Sequence, residues 1–94
     1  MAAYVIAMIE VTDPEGYPAY ASRTVASATP YGGEFLAKGG PQTVVEGSAK
    51  PRTVIIRFPD RAAAEAWLIS PEYLEIKPIG QASSTRDMLI VDGV

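Results

Sequence analysis

The sequence predicts an α+β domain of order β-α-β-β-α-β, the ferredoxin-like arrangement of an antiparallel sheet with helices on one face. Three observations predict it. The β-branched run Arg52–Phe58 stops at Pro59, and Asp60 then caps an alanine-rich helix that starts at Arg61. The N-terminus repeats that order, with an apolar run to Val11 followed by Asp13 and Pro14. A last apolar run, Arg86–Val91, follows the helical segments and closes the chain.

The first strand is read as Ala3–Val11. Tyr4, Ile6, Met8 and Glu10 share one face, and Val5, Ala7, Ile9 and Val11 the other. Both faces are apolar over most of their length, which predicts cover on both sides. Asp13, Pro14 and Glu15 read as N-cap, first helical position and acidic first turn. The stripe Tyr17, Tyr20, Ala21, Thr24, Val25 and Ala28 then has helical spacing and ends at Thr29-Pro30. Pro18 disfavours helix at Tyr17, so either a turn precedes a restart there or the first turn is kinked. Tyr31, Gly32 and Gly33 form a turn, and Glu34–Lys38 a short strand. Gly39, Gly40 and Pro41 break the chain, Gln42–Glu46 resumes as strand, and residues 47–51 are a loop.

The strand Arg52–Phe58 sets Val54, Ile56 and Phe58 on one face. A helix over Arg61–Ile69 carries Ala63, Ala64, Trp67 and Leu68 as its stripe. Ser70-Pro71 caps a further helix to about Lys77, where Pro78 is expected to break or bend it. Residues 81–85 read as a polar connection.

Ninety-four residues make one domain, 1–94. The net charge of −3 argues against a nucleic-acid partner, which needs a basic face. Absence of cysteine and of histidine removes thiolate and Ser-His-Asp chemistry, His-ligated haem and most zinc or copper sites. Neither a cofactor nor a metal is therefore expected. No apolar run approaches the ~20 residues of a membrane span, and the N-terminus lacks a basic leader. A cytoplasmic location follows as the default.

Helices can shield only one face of such a sheet. A bare apolar face of several hundred Å² is a liability in a monomer. The expected remedy is a homodimer packed sheet against sheet about a two-fold axis.

Several segments together resemble the bacterial domain-of-unknown-function family 1330. They are Ala3–Ala7, Thr12–Tyr17, Tyr31–Leu36, Gly39-Gly40, Phe58–Asp60 and Ser70–Tyr73, and the match spans essentially the whole chain. The resemblance implies a dimeric α/β barrel built on the ferredoxin-like fold. It also implies kinship with a superfamily that includes cofactor-free monooxygenases and lactone isomerases. No established activity comes with it. Pro18 and Pro78 depart from the pattern, since the family's helices are uninterrupted there.

Tyr17, Tyr20, Tyr31, Trp67 and Tyr73 are the aromatic candidates for a small-molecule site, a cleft between helices and sheet. Core packing with a hydroxyl at the rim is the competing explanation. Arg86 opens an apolar strand and needs a carboxylate, a carbonyl or an anionic ligand; Arg57 poses the same question. Glu10, Glu46 and Asp87 are plausible internal partners. Lys38, beside Gly39-Gly40, is either solvated or an anion contact. The glycine pairs lack phosphate-loop spacing. Ser22, Ser83 and Ser84 read as surface.

Two function classes are carried. One is a small-molecule-binding homodimer, extending to a cofactor-independent acid–base enzyme acting on a small carboxylate, phenol or lactone. The other is a non-catalytic binding or regulatory module whose helix–sheet cleft is filled by its own side chains.

Overall fold

The computed structural model describes residues 1–94. The central strand β1 (Ala3–Val11) is flanked by β3 (Arg52–Phe58) and β4 (Ser84–Asp92), and β2 (Glu34–Lys38) pairs with β3 at the edge. All neighbours are antiparallel, giving the order β2-β3-β1-β4. Helices α1 (Tyr17–Ala21), α2 (Thr24–Ala28), α3 (Arg61–Leu68) and α4 (Pro71–Ser83) complete the ferredoxin-like architecture.

Strand alternation places the core. Val5, Ala7 and Ile9 of β1 are buried with Val54, Ile56 and Phe58 of β3, beneath Tyr17, Tyr20, Ala64, Trp67, Tyr73 and Ile76 of the helices. Tyr4, Ile6 and Met8 point the other way. They stand in register with Arg57, Ile55 and Thr53 on one side and Val91, Leu89 and Asp87 on the other. Leu89 and Val91 are exposed, and no helix lies on this face; only the loop Ser48–Pro51 borders it, at the Met8 and Asp87 end. The helices therefore roof one side only.

Caps fix the helix starts after β3. Asp60 accepts from the Ala63 N–H at 2.8 Å. Ser70 accepts from the Tyr73 N–H at 3.1 Å while donating to the Trp67 carbonyl at 2.6 Å.

Several expectations need correction. Asp13 is not a helix N-cap: its carboxylate accepts from the Glu15 N–H at 3.2 Å and its carbonyl from the Tyr17 N–H at 3.0 Å. That turn precedes a helix starting at Tyr17, with Pro18 held in the first helical turn. The single helix expected to Ala28 is two, because the Ala21 carbonyl is taken by Thr24 Oγ1 and Lys38 Nζ, each at 3.0 Å.

Gln42–Glu46 forms no strand. Its residues are exposed, and Gln42 instead joins the Lys50 carbonyl and Thr53 Oγ1, both at 2.8 Å. Helix α4 runs through Pro78 to Ser83, which removes the expected connection over 81–85. Both Pro78 and Leu74, whose carbonyl loses its helical partner, are exposed, so water can serve that carbonyl. Ser83 and Ser84 are buried rather than surface residues, their hydroxyls donating to the Ile79 and Gly80 carbonyls at 2.6 Å each.

Candidate functional site

The core-facing stripe of α1 places Tyr17 and Tyr20 side by side, ring centroids 5.7 Å apart. Trp67 of α3 and Tyr73 of α4 pack with ring centroids 4.4 Å apart and planes tilted by 47°, and the Trp67 indole donates to Ser27 Oγ at 3.1 Å. Tyr17, Tyr20 and Trp67 meet Val5, Ala7 and Ile9 around a cavity between helices and sheet. That cavity holds about 20 Å³, room for roughly one water. Its lining is almost wholly apolar, Lys38 and the buried Thr24 being the exceptions.

A polar cluster lies beside it. Arg86 of β4 donates through Nη2 to the Tyr73 hydroxyl at 3.2 Å, and the Tyr73 and Tyr20 hydroxyls are 3.0 Å apart. The guanidinium also stacks on the Tyr20 ring, Cζ lying 4.7 Å from its centroid. Burial, with Tyr73 alongside, pushes the Tyr20 hydroxyl well above the ordinary tyrosine range, so it stays protonated at neutral pH.

Arg86 has no carboxylate partner. Asp87 instead pairs with Lys50, and the remaining ion pairs are Arg23–Glu75, Arg61–Glu65 and Arg61–Asp92. Its Nη1 is buried without a hydrogen-bond partner in the chain. Gly80 makes room for the group: a Cβ there would lie 2.5 Å from Nη1. Arg86, Tyr73, Lys77, Gln81, Ser84, Leu68, Ile69 and Met88 line a groove of about 520 Å³ between α3, α4 and β4.

Of the candidates, the structure thus brings Tyr20, Tyr73 and Arg86 into one cluster and sets Tyr17, Tyr20, Trp67 and Lys38 around the cavity. Tyr31 stands apart. Its hydroxyl donates to Glu72 Oε1 at 2.9 Å, which, with the nearby negative charge, raises its ionisation above the usual tyrosine value. Lys38 reaches the Ala21 carbonyl and lies 5.6 Å from the Phe35 ring centroid. Sequence reasoning overlooked Arg52 and Gly80. Arg52 opens β3, a position that reads as a solvated strand end. Gly80 lies in a segment expected to be past the helix.

The chain belongs to the DUF1330 family, a domain of unknown function whose model matches residues 2–94. No curated protein matches it in sequence. Among solved structures, it resembles RPA0582, a protein of unknown function from Rhodopseudomonas palustris. The two share 17% identity over 99% of this chain and 82% of that one, with a TM-score of 0.79. A dimeric ferredoxin-like protein of unknown function from Jannaschia sp. CCS1 gives 16% identity, 99% and 100% coverage, and a TM-score of 0.72. SnoaB, a cofactor-independent oxygenase from Streptomyces nogalater, gives 18% identity, 99% and 93% coverage, and a TM-score of 0.66. At these identities the likeness is one of fold.

Proposed function

We propose that this chain forms a homodimer through its uncovered sheet face and binds a small carboxylate, phenol or lactone in the groove at Arg86. One observation carries the ligand reading: a half-buried arginine without a carboxylate partner lies on the wall of a groove of about 520 Å³. A guanidinium so placed suits a carboxylate or an enolate oxygen. The buried Tyr73 hydroxyl accepts from Arg86 and holds the guanidinium in place, and Leu68, Ile69 and Met88 form an apolar wall.

Dimerisation is supported by the apolar row Tyr4, Ile6, Ile55, Leu89 and Val91 and by the dimeric fold relative from Jannaschia. SnoaB indicates that this fold can support oxygenase chemistry without a cofactor. In this chain the groups available for such work are the Arg86 cation and the Tyr73 and Tyr20 hydroxyls, which fit holding and polarising a substrate oxygen by hydrogen bonds, since Arg86 stays charged and Tyr20 protonated.

The second class, a filled module, is favoured for the helix–sheet cleft itself by its volume of about 20 Å³. The groove and the cleft are therefore separate questions. A thermal-shift screen with small carboxylates, phenols and lactones tests the groove. A stabilising hit should vanish in Arg86→Ala and weaken in Tyr73→Phe. Hits that persist in Arg86→Ala, or silence across the set, would move the reading to the filled module.

A further inference from the structure

We infer that a second anion site lies on the opposite flank of α1, at Arg52. The guanidinium of Arg52 stacks on Tyr17, its Cζ 5.5 Å from the ring centroid. It has no carboxylate within ion-pair distance, and its Nε is buried without a hydrogen-bond partner in the chain. Gly39, at φ +72°, lies against the same guanidinium, and any Cβ there would overlap it. The backbone at the end of β2 therefore has a shape that only glycine readily adopts, and that shape accommodates an unpaired cation.

Arg52 opens onto a surface groove of about 440 Å³ lined by Tyr17, Pro18, Ala21, Ser22 and Lys38. Two cations and a serine hydroxyl line it, and no acid does. In a chain of net charge −3 this is a local concentration of positive charge. Tyr17, Pro18 and Ala21 form an apolar strip beside the cations. The combination fits a small carboxylate with an apolar body, its oxygens on the Arg52 fork and Lys38, and its body along Tyr17. The site shares no lining residue with the Arg86 groove, so the two readings stand or fall separately.

The test is a titration of the full-length protein followed by the Arg52 Nε–H resonance. Benzoate is the probe, with inorganic phosphate and sodium chloride as parallel arms at matched ionic strength. A saturable shift with benzoate is expected, weakened about tenfold or more in Arg52→Lys and in Lys38→Met and retained in Arg86→Ala. The two weakened variants are read through backbone amides of Tyr17 and Ser22. Arg52→Lys keeps a cation on an aliphatic stem beside Tyr17, and Lys38 is exposed, so both variants should fold. Saturation with phosphate alone would overturn the carboxylate assignment. The same drift with chloride, or full benzoate affinity in both weakened variants, would overturn the site.

Discussion

Arg52 and Arg86 occupy the same row of the sheet: each stands directly opposite Ile9, one on β3 and the other on β4. Each stacks on a tyrosine of α1, Arg52 on Tyr17 and Arg86 on Tyr20. Ile9 is buried, so both arginines leave the sheet on the helix side. Strand spacing puts their Cα atoms roughly 10 Å apart. The row explains why two cations can sit beside a core: the rings of α1 cover the guanidinium faces while the edges run outward to two grooves.

Gly80 tests how tightly Arg86 is held. Alanine at an interior helix position normally gains about 0.5–1 kcal/mol over glycine. Here its Cβ would lie 2.5 Å from Arg86 Nη1 and 2.7 Å from Tyr20 Cδ1. Overpacking of this kind costs about 1–3 kcal/mol, so the penalty wins. Gly80→Ala should lower the urea midpoint and weaken any ligand that needs Arg86. A stabilised variant would mean that the arginine moves aside freely.

Ser27 and Trp67 form a buried polar contact in the core. Ser27→Ala leaves the Trp67 indole N–H without its partner, which should cost about 1–3 kcal/mol in chemical denaturation. Trp67→Phe removes that donor and some volume together. In a double-mutant cycle, Ser27→Ala on the Trp67→Phe background should cost less than on the wild type. Equal costs in the two backgrounds would show that the hydrogen bond contributes nothing.

Much of the fold is legible because local signals agree with tertiary ones. The alternation of β1 and β3 and the caps at Asp60 and Ser70 each specify one answer. The extension of α4 through Pro78 is not legible, because it depends on which side of the helix meets solvent. Gln42–Glu46 has strand composition, but the free edge of β3 is already occupied by β2. The candidate site is legible only as an inventory. Tyr20 and Tyr73 are 53 residues apart, and their 3.0 Å contact exists only once α1 and α4 pack together. Arg52 looks like an exposed strand end until Gly39 and Tyr17 are seen closing on it.

Alkaline stability should depend on Tyr20. Its folded-state ionisation is raised, chiefly by burial and then by Tyr73. The fold therefore favours the protonated hydroxyl, and the unfolded chain releases that proton first. The stabilisation is complete below the free tyrosine value of about 10 and is lost as pH rises beyond it. Denaturant midpoints should fall with pH above about 10 and fall less steeply in Tyr20→Phe. The Tyr20 contribution to tyrosinate absorbance should appear together with unfolding and be missing from Tyr20→Phe. Identical pH slopes in the two proteins would remove Tyr20 from this role.

Ile6 sits mid-strand on the uncovered face, in register with Ile55 and Leu89. If a second copy covers this face, a charge there has nowhere to go, because burying an unpaired carboxylate costs several kcal/mol. In a monomer the same substitution loses the packing of a partly exposed Ile6 against Ile55 and Leu89, which lowers stability but has no bearing on association. Sedimentation velocity separates the cases. Wild-type protein at micromolar concentration should run as a dimer, and Ile6→Asp as a monomer or a dimer with far weaker association. Glu65→Ala, exposed on α3 on the other side of the sheet, serves as the control and should leave association nearly unchanged. A wild-type chain that sediments as a monomer at high concentration would leave the apolar row of β1, β3 and β4 unexplained and defeat the dimer reading outright.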